Sequence, residues 1–194
     1  MTTHERIEHH VLGLKDTSEM MVDLALSSVI YYNEELAEEV RLLEDHADEL
    51  QKRVQRDAVD GAVQNLLNPD QALALVQLSE AAETIADAGR EIADVVLRDV
   101  EPHPVLAQSV EDSDVVIARV EVAADAPLEG RALGEERVQS ETGMHVFAIR
   151  REDRWIPGPE ASDIVEDGDV LLASGPEKGR GKLQALCRGD AAED

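Results

Sequence analysis

Between residues 34 and 54 the apolar side chains recur in alternating steps of four and three: Leu36, Val40, Leu43, Ala47, Leu50 and Val54. That spacing lays one apolar stripe along a helix of about five turns. Leu78, Ala82, Ile85, Gly89, Ile92 and Val96 repeat the steps and predict a second striped helix. An earlier helix is expected from about Val11 to Tyr32, with Asn33 capping the one that follows. Asn68-Pro69-Asp70 restarts the last, since proline is tolerated in a helix's first turn. Three long helices with short connections predict an antiparallel three-helix bundle, up-down-up, over residues 10 to 101.

The period changes at "EPHPV", where Pro102 and Pro104 forbid a continuing helix. Beyond it the apolar runs shorten to strand length: "DVVIARVEV", "MHVFAIRRE" and "DVLLASG", rich in Val, Ile and Leu and bounded by turn residues. "RREDRW" and the "EDGD" around Gly168 read as tight turns. "LEGRALGEERVQSE" is a short helix candidate, and a final helix is expected to begin at "GPEK" with Pro176 at its first position. The fold class is therefore multi-domain. An all-α three-helix bundle occupies residues 1–102, a linker residues 103–110, and a small α+β domain residues 111–190.

Composition narrows the partners. The 43 acidic residues against 18 basic ones leave a formal charge of −25, a field that repels nucleic acid and anionic lipid. No nucleic-acid partner is expected. Arg outnumbers Lys fourteen to four and acid is spread along the whole chain. This pattern suits a halophilic protein in a salt-rich cytoplasm, where a Debye length near ~3 Å at 1 M salt screens self-repulsion. The alternative is an ordinary acidic protein. One cysteine, Cys187, excludes an internal disulfide and fits a reducing compartment. The N-terminus lacks a basic, apolar secretory pattern and no window reaches ~18 apolar residues, so a cytoplasmic chain without direct membrane insertion is expected.

Two pairs of acids stand out. Glu44 with Asp48 and Glu83 with Asp87 sit four apart, stacking like charges on a helix face at a cost of a few tenths of a kcal/mol each. If their helices pack as neighbours, four carboxylates converge on one groove and suit a divalent metal or iron. The competing reading is a solvated acidic face, which a chain this acidic produces by chance. Other candidates are weaker. "GPEKGRGKL" has Pro176 where a phosphate-binding loop needs glycine and Leu183 after Lys182, and no GxGxxG occurs, so NAD is not expected. Cys187 is expected to be packing rather than a nucleophile paired with His145, and His9 and His10 a frayed, solvated terminus.

The segment "NEELAEEVRLLEDHADELQKRV" followed by "LSEAAETIADAGREIADVV" resembles the PhoU family, whose three-helix units carry a Glu/Asp-x-x-x-Asp motif on two helices. The matching positions are Glu44 with Asp48 and Glu83 with Asp87; the usual Arg and Gly inside the second motif are Thr84 and Ala86 here. The resemblance implies metal binding by those four residues and a role in phosphate-transport signalling. "APLEGRALGEERVQSETGMHVFAIRREDRWIPGPEASDIVEDGDVLLASGPEKGRGKLQAL" is similar to the TrkA C-terminal (RCK-C) domain through Leu128, Gly130, Leu133, Ala148, Ile149, Arg151, Ile156, Pro157, Gly168, Asp169 and Leu171 to Gly175, in order. That likeness implies a homodimeric regulatory module of potassium channels and transporters, with a cyclic dinucleotide or other nucleotide as ligand. Arg150 and Arg151 alternate across a strand, so one of them can enter a ligand cleft while the other meets solvent or an acid. A surface ion pair is the competing role for either.

Together these readings predict a non-enzymatic regulatory subunit of a potassium (cation) channel or transporter, cytoplasmic or held peripherally by that membrane partner. The alternative is a metal-binding regulator of phosphate-transport signalling.

Overall fold

In the computed structural model, residues 2–98, 115–152 and 154–188 are described. The chain forms two compact units, Met1–Val110 and Glu111–Asp194. The twin prolines and the expected linker lie outside the described residues.

The first unit contains three long helices, α1 (Thr3–Ile30), α2 (Glu34–Val63) and α3 (Pro69–Leu97), each packed against the other two. Their starts are written locally. Thr2 and Glu5 form a capping box on α1, Asn33 accepts from the Leu36 amide at the head of α2, and Asn68 with Gln71 caps α3 just before Pro69. The helix α1 begins well before Val11 and takes His9 and His10 into regular structure, so the expected frayed terminus is corrected. His10 is held because Asp57 on α2, itself nearly buried, lies 2.6 Å from its Nδ1 and 2.6 Å from Arg6 Nε.

Every residue of the predicted α2 stripe, from Leu36 to Val54, is buried. On α3 Gly89 and Val96 are buried as predicted, but the inward face is turned by about half a residue from the predicted stripe. Ser79, Ala86, Gly89, Ala93 and Val96 face the interior, whereas Leu78 and Ile85 stand 52% and 48% exposed. The cause is space: α3 lies so close to α1 that a Cβ on Gly89 would come within 3.3 Å of the Met21 backbone. Small side chains permit that approach and large ones do not.

The second unit is a four-stranded antiparallel sheet in the order β1-β4-β2-β3, with β1 Val116–Glu121, β2 His145–Arg151, β3 Arg154–Pro157 and β4 Val170–Gly175. Two helices accompany it, α4 (Val138–Thr142) and α5 (Glu177–Arg188). The predicted 14-residue helix candidate shrinks to the five residues of α4, the rest forming turns. Glu152 takes a positive φ in the β2–β3 hairpin and Gly168 one in the turn before β4. Gly179 is required in α5, because a Cβ there would collide with the Thr142 carbonyl and the Met144 side chain. One sheet face packs Val120, Ile149, Leu171 and Ala173 against Val138 of α4 and Leu183 and Cys187 of α5.

Candidate metal groove and sheet-face site

The acidic groove forms where α2 meets α3. Burial first, then the charge and hydrogen bond of Asp87 and the charges of Asp48 and Glu44, push the Glu83 carboxyl above its ordinary range. Glu44 is raised as well, chiefly by burial, with Arg90 pulling the other way. The four predicted residues are therefore neighbours in the electrostatic sense. A cation of the protein's own already stands among them: Arg90 Nε lies 2.7 Å from Glu44 Oε1 and 3.9 Å from Asp87 Oδ1, and its Nη1 bonds Asp94 at 3.3 Å. The Glu44 contact is ionic without hydrogen-bond alignment. Asp48 turns outward to Lys52, 3.5 Å away. Among the described residues no three Asp, Glu, His or Cys side chains form a metal-ligand set. As arranged, the groove is an acid cluster balanced by arginine, and its donors do not fit a metal. The sequence signal that could have found this is Arg90, two turns beyond Glu83 and one beyond Asp87 on the same helix.

In the second unit the two adjacent arginines part company. Arg151 turns to the face that carries Ile149 and clamps Asp169, with Nε 2.8 Å from Oδ1 and Nη2 2.7 Å from Oδ2. Its Nη1 reaches Glu166 at 2.6 Å and its Nη2 also donates to the Ile164 carbonyl. Asp169 is 0% exposed and additionally accepts from the Glu166 amide, so Arg151 anchors the loop ahead of β4. The hydrogen bonds to Asp169 push the Arg151 guanidinium above its usual value, since they favour the charged form. Of the two roles the sequence left open, Arg151 takes the ion pair.

Arg150 sits on the opposite sheet face. The strand register sets it directly across from Val170 on β4 and Trp155 on β3, with Arg119 of β1 two residues along on the same face. Its Nη1 donates to the Glu152 carbonyl at 3.2 Å. A separate cleft of about 260 Å³ lies beside α4, lined by Arg137, Ser140, His145 and Glu160 among others; neither Arg150 nor Arg151 lines it. Sequence reasoning missed Arg119 as a companion of Arg150, because only the strand order places β1 and β2 on either side of β4. Cys187 is fully buried and its thiol is pushed up to about 12 by burial, a packing residue and no nucleophile.

Comparison with known proteins follows this division. Residues 11–96 match the PhoU domain and residues 117–188 match the TrkA-C domain. The chain is a PhoU domain followed by a TrkA-C domain. The chain is similar to the ammonium/H(+) antiporter subunit AmhM of Alkalihalophilus pseudofirmus, 19% identical over 110 residues, and spans just under two thirds of that protein, 66% of it, with 57% of its own length. Among solved structures, the RCK_C domain dimer of S. agalactiae BusR in complex with c-di-AMP is 24% identical, covering 38% of this chain and 91% of that one at a TM-score of 0.36. S. agalactiae BusR in complex with its busA-promotor DNA is 20% identical, covering 64% of this chain and 68% of that one at a TM-score of 0.37. In the PhoU–TrkA-C chain no described helix is long and apolar enough to cross a membrane.

Proposed function

We propose that this chain is a cytoplasmic, non-enzymatic regulatory subunit of a cation channel or transporter. It works as a homodimer whose TrkA-C domain senses a small ligand and whose PhoU bundle passes the change to the membrane partner. The observation that carries the reading is the order of the two regulatory domains, PhoU at 11–96 and TrkA-C at 117–188. The partial likeness to an antiporter subunit supports it. The mechanism is a population shift: a ligand held better by one arrangement of two TrkA-C modules biases the dimer, by no more than its differential affinity. A nucleotide is the ligand class the TrkA-C resemblance implies. Arg150, sharing a sheet face with Arg119 and Trp155, is the residue we assign to its phosphate, because a guanidinium beside an aromatic ring offers both charge and stacking. The charge of −25 opposes adhesion to anionic lipid, so docking uses the transporter's own surface.

The test combines a thermal-shift screen of nucleotides, including cyclic di-AMP, at molar KCl with recovery of partners from cells in native salt. The expected result is a melting temperature that climbs with nucleotide concentration, as a ligand of the folded state requires, and that Arg150→Ala abolishes. Recovery of phosphate-uptake machinery without any cation transporter, and no nucleotide response, overturns the reading. The second reading, a metal-binding regulator of phosphate-transport signalling with Glu44, Asp48, Glu83 and Asp87 as ligands, draws on the Glu83 carboxyl, raised first by burial and then by Asp87, Asp48 and Glu44. It requires Arg90 to leave the groove. Bound metal in purified protein that disappears in Glu83→Gln/Asp87→Asn would establish it.

A further inference from the structure

The α3 helix carries two apolar stripes side by side, and only one is used inside its own bundle. The buried stripe is small: Ser79, Ala86, Gly89, Ala93, with Val96 at its end. The neighbouring outward stripe is Ala74, Leu78, Ala81, Ile85, Ala88, Ile92 and Val95, all exposed except half-buried Ile92. Its steps run four, three, four, three, four, three without interruption, the seam of a coiled coil, over about 32 Å of helix. No seam position is charged, in a chain with 31% charged residues. Glu83, Asp87, Arg90 and Asp94 occupy the other flank of α3, toward α2. On the α1 side the seam opens into an apolar groove of about 390 Å³ in which Leu78 and Ile85 meet Val11 and Leu12 of α1, Leu12 being 51% exposed.

We propose that this seam is the surface through which two copies of the chain associate, α3 against α3 in antiparallel orientation about a two-fold axis near residue 83. The side-chain sizes select both the occupant and the direction. Over residues 74–92 large residues hold one heptad position (Leu78, Ile85, Ile92) and small ones the other (Ala74, Ala81, Ala88), and Val95 lies beyond the paired layers. Antiparallel pairing of identical helices sets each large residue against a small one, matching 74 with 92, 78 with 88 and 81 with 85 in six even layers. Parallel pairing alternates crowded and empty layers, which close packing disfavours. A two-fold interface needs a patch complementary to itself, and this stripe is one. The flanking charges agree: Gln77, Thr84 and Glu91 border the seam, so Thr84 faces its own copy and Glu91 faces Gln77, with no acid set against an acid. Because each copy carries −25, association strengthens with salt.

The inference stands apart from the TrkA-C reading and is read on the helices alone, without nucleotide. Cysteine substitutions in the full chain test it, since native Cys187 is buried and its thiol unreactive. At molar KCl under mild oxidation, Thr84→Cys is expected to form a covalent dimer. Gln77→Cys and Glu91→Cys are each expected to stay single but to link when mixed, with Arg41→Cys on α2 giving the collision background. Adding Ile85→Glu to Thr84→Cys lowers the linked fraction by roughly tenfold or more, because the charge has no partner in the seam. Circular dichroism checks that this exposed-site variant stays helical. Three results overturn the proposal: no Thr84→Cys dimer above background, no more linking in the Gln77→Cys and Glu91→Cys mixture than in either alone, or linking indifferent to Ile85→Glu. A dimer held only through TrkA-C keeps its mass in solution yet leaves Thr84→Cys unlinked, which separates the two ideas.

Discussion

Replacing Arg151 by alanine tests the assignment of that residue to the fold. Asp169 has no solvent exposure, and two of the three hydrogen bonds its carboxylate accepts come from Arg151. Removing one partner of a buried pair costs about 3–5 kcal/mol, because the survivor keeps its charge without compensation. Two features reduce the figure here. The Arg151 side chain is one-fifth exposed, so water reaches the vacated site, and Asp169 keeps the Glu166 amide. The expected loss is therefore about 2–4 kcal/mol. Trp155 is the chain's single tryptophan and lies on β3, so its fluorescence during urea unfolding reports on the TrkA-C domain specifically. Arg151→Leu combined with Asp169→Leu removes both charges, and is expected to recover at least ~1 kcal/mol relative to the single variant. A single-variant loss under ~1 kcal/mol, or a double variant as unstable as the sum of its parts, refutes the reasoning. So does a variant of full stability that loses ligand response, since Arg151 would then be a binding residue.

Gly89→Val drives two further methyls toward the Met21 backbone and is expected to cost about 1–3 kcal/mol by overpacking, read from the helical signal on thermal unfolding. Asp57→Ala leaves Arg6 and His10 without the carboxylate both contact at 2.6 Å, with an expected loss of about 1.5–3 kcal/mol in the same assay. Glu83→Gln behaves oppositely. A carboxyl whose folded pKa is raised binds its proton more tightly in the native state, so its charge weakens the fold at neutral pH and that penalty fades as pH falls through the raised pKa. The variant should melt above the native protein at pH 7 and converge with it in the acid carboxylate range. Melting temperature should also climb steeply between ~0.1 and ~1 M KCl as the Debye length shrinks from ~10 to ~3 Å, and a flat profile sinks the halophilic reading.

Much of this protein is written in short-range pattern. Capping residues mark the helix starts, the α2 stripe names its own buried face, and the strands show as short Val- and Ile-rich runs between turn residues. These are local signals, since a period or a cap involves residues a few positions apart. The inward face of α3 was legible only in part, at Gly89 and Val96, because two adjacent stripes each have helical spacing and the choice depended on the gap left by Met21 of α1. The fates of Glu44 and Arg151 were equally hidden. Arg90 lies 46 residues from Glu44 and Asp169 lies 18 from Arg151, and only chain folding brings those charges together. Periodicity thus determined which elements exist and which residues can be buried, while the distances between elements decided which stripe is buried and which charges find partners.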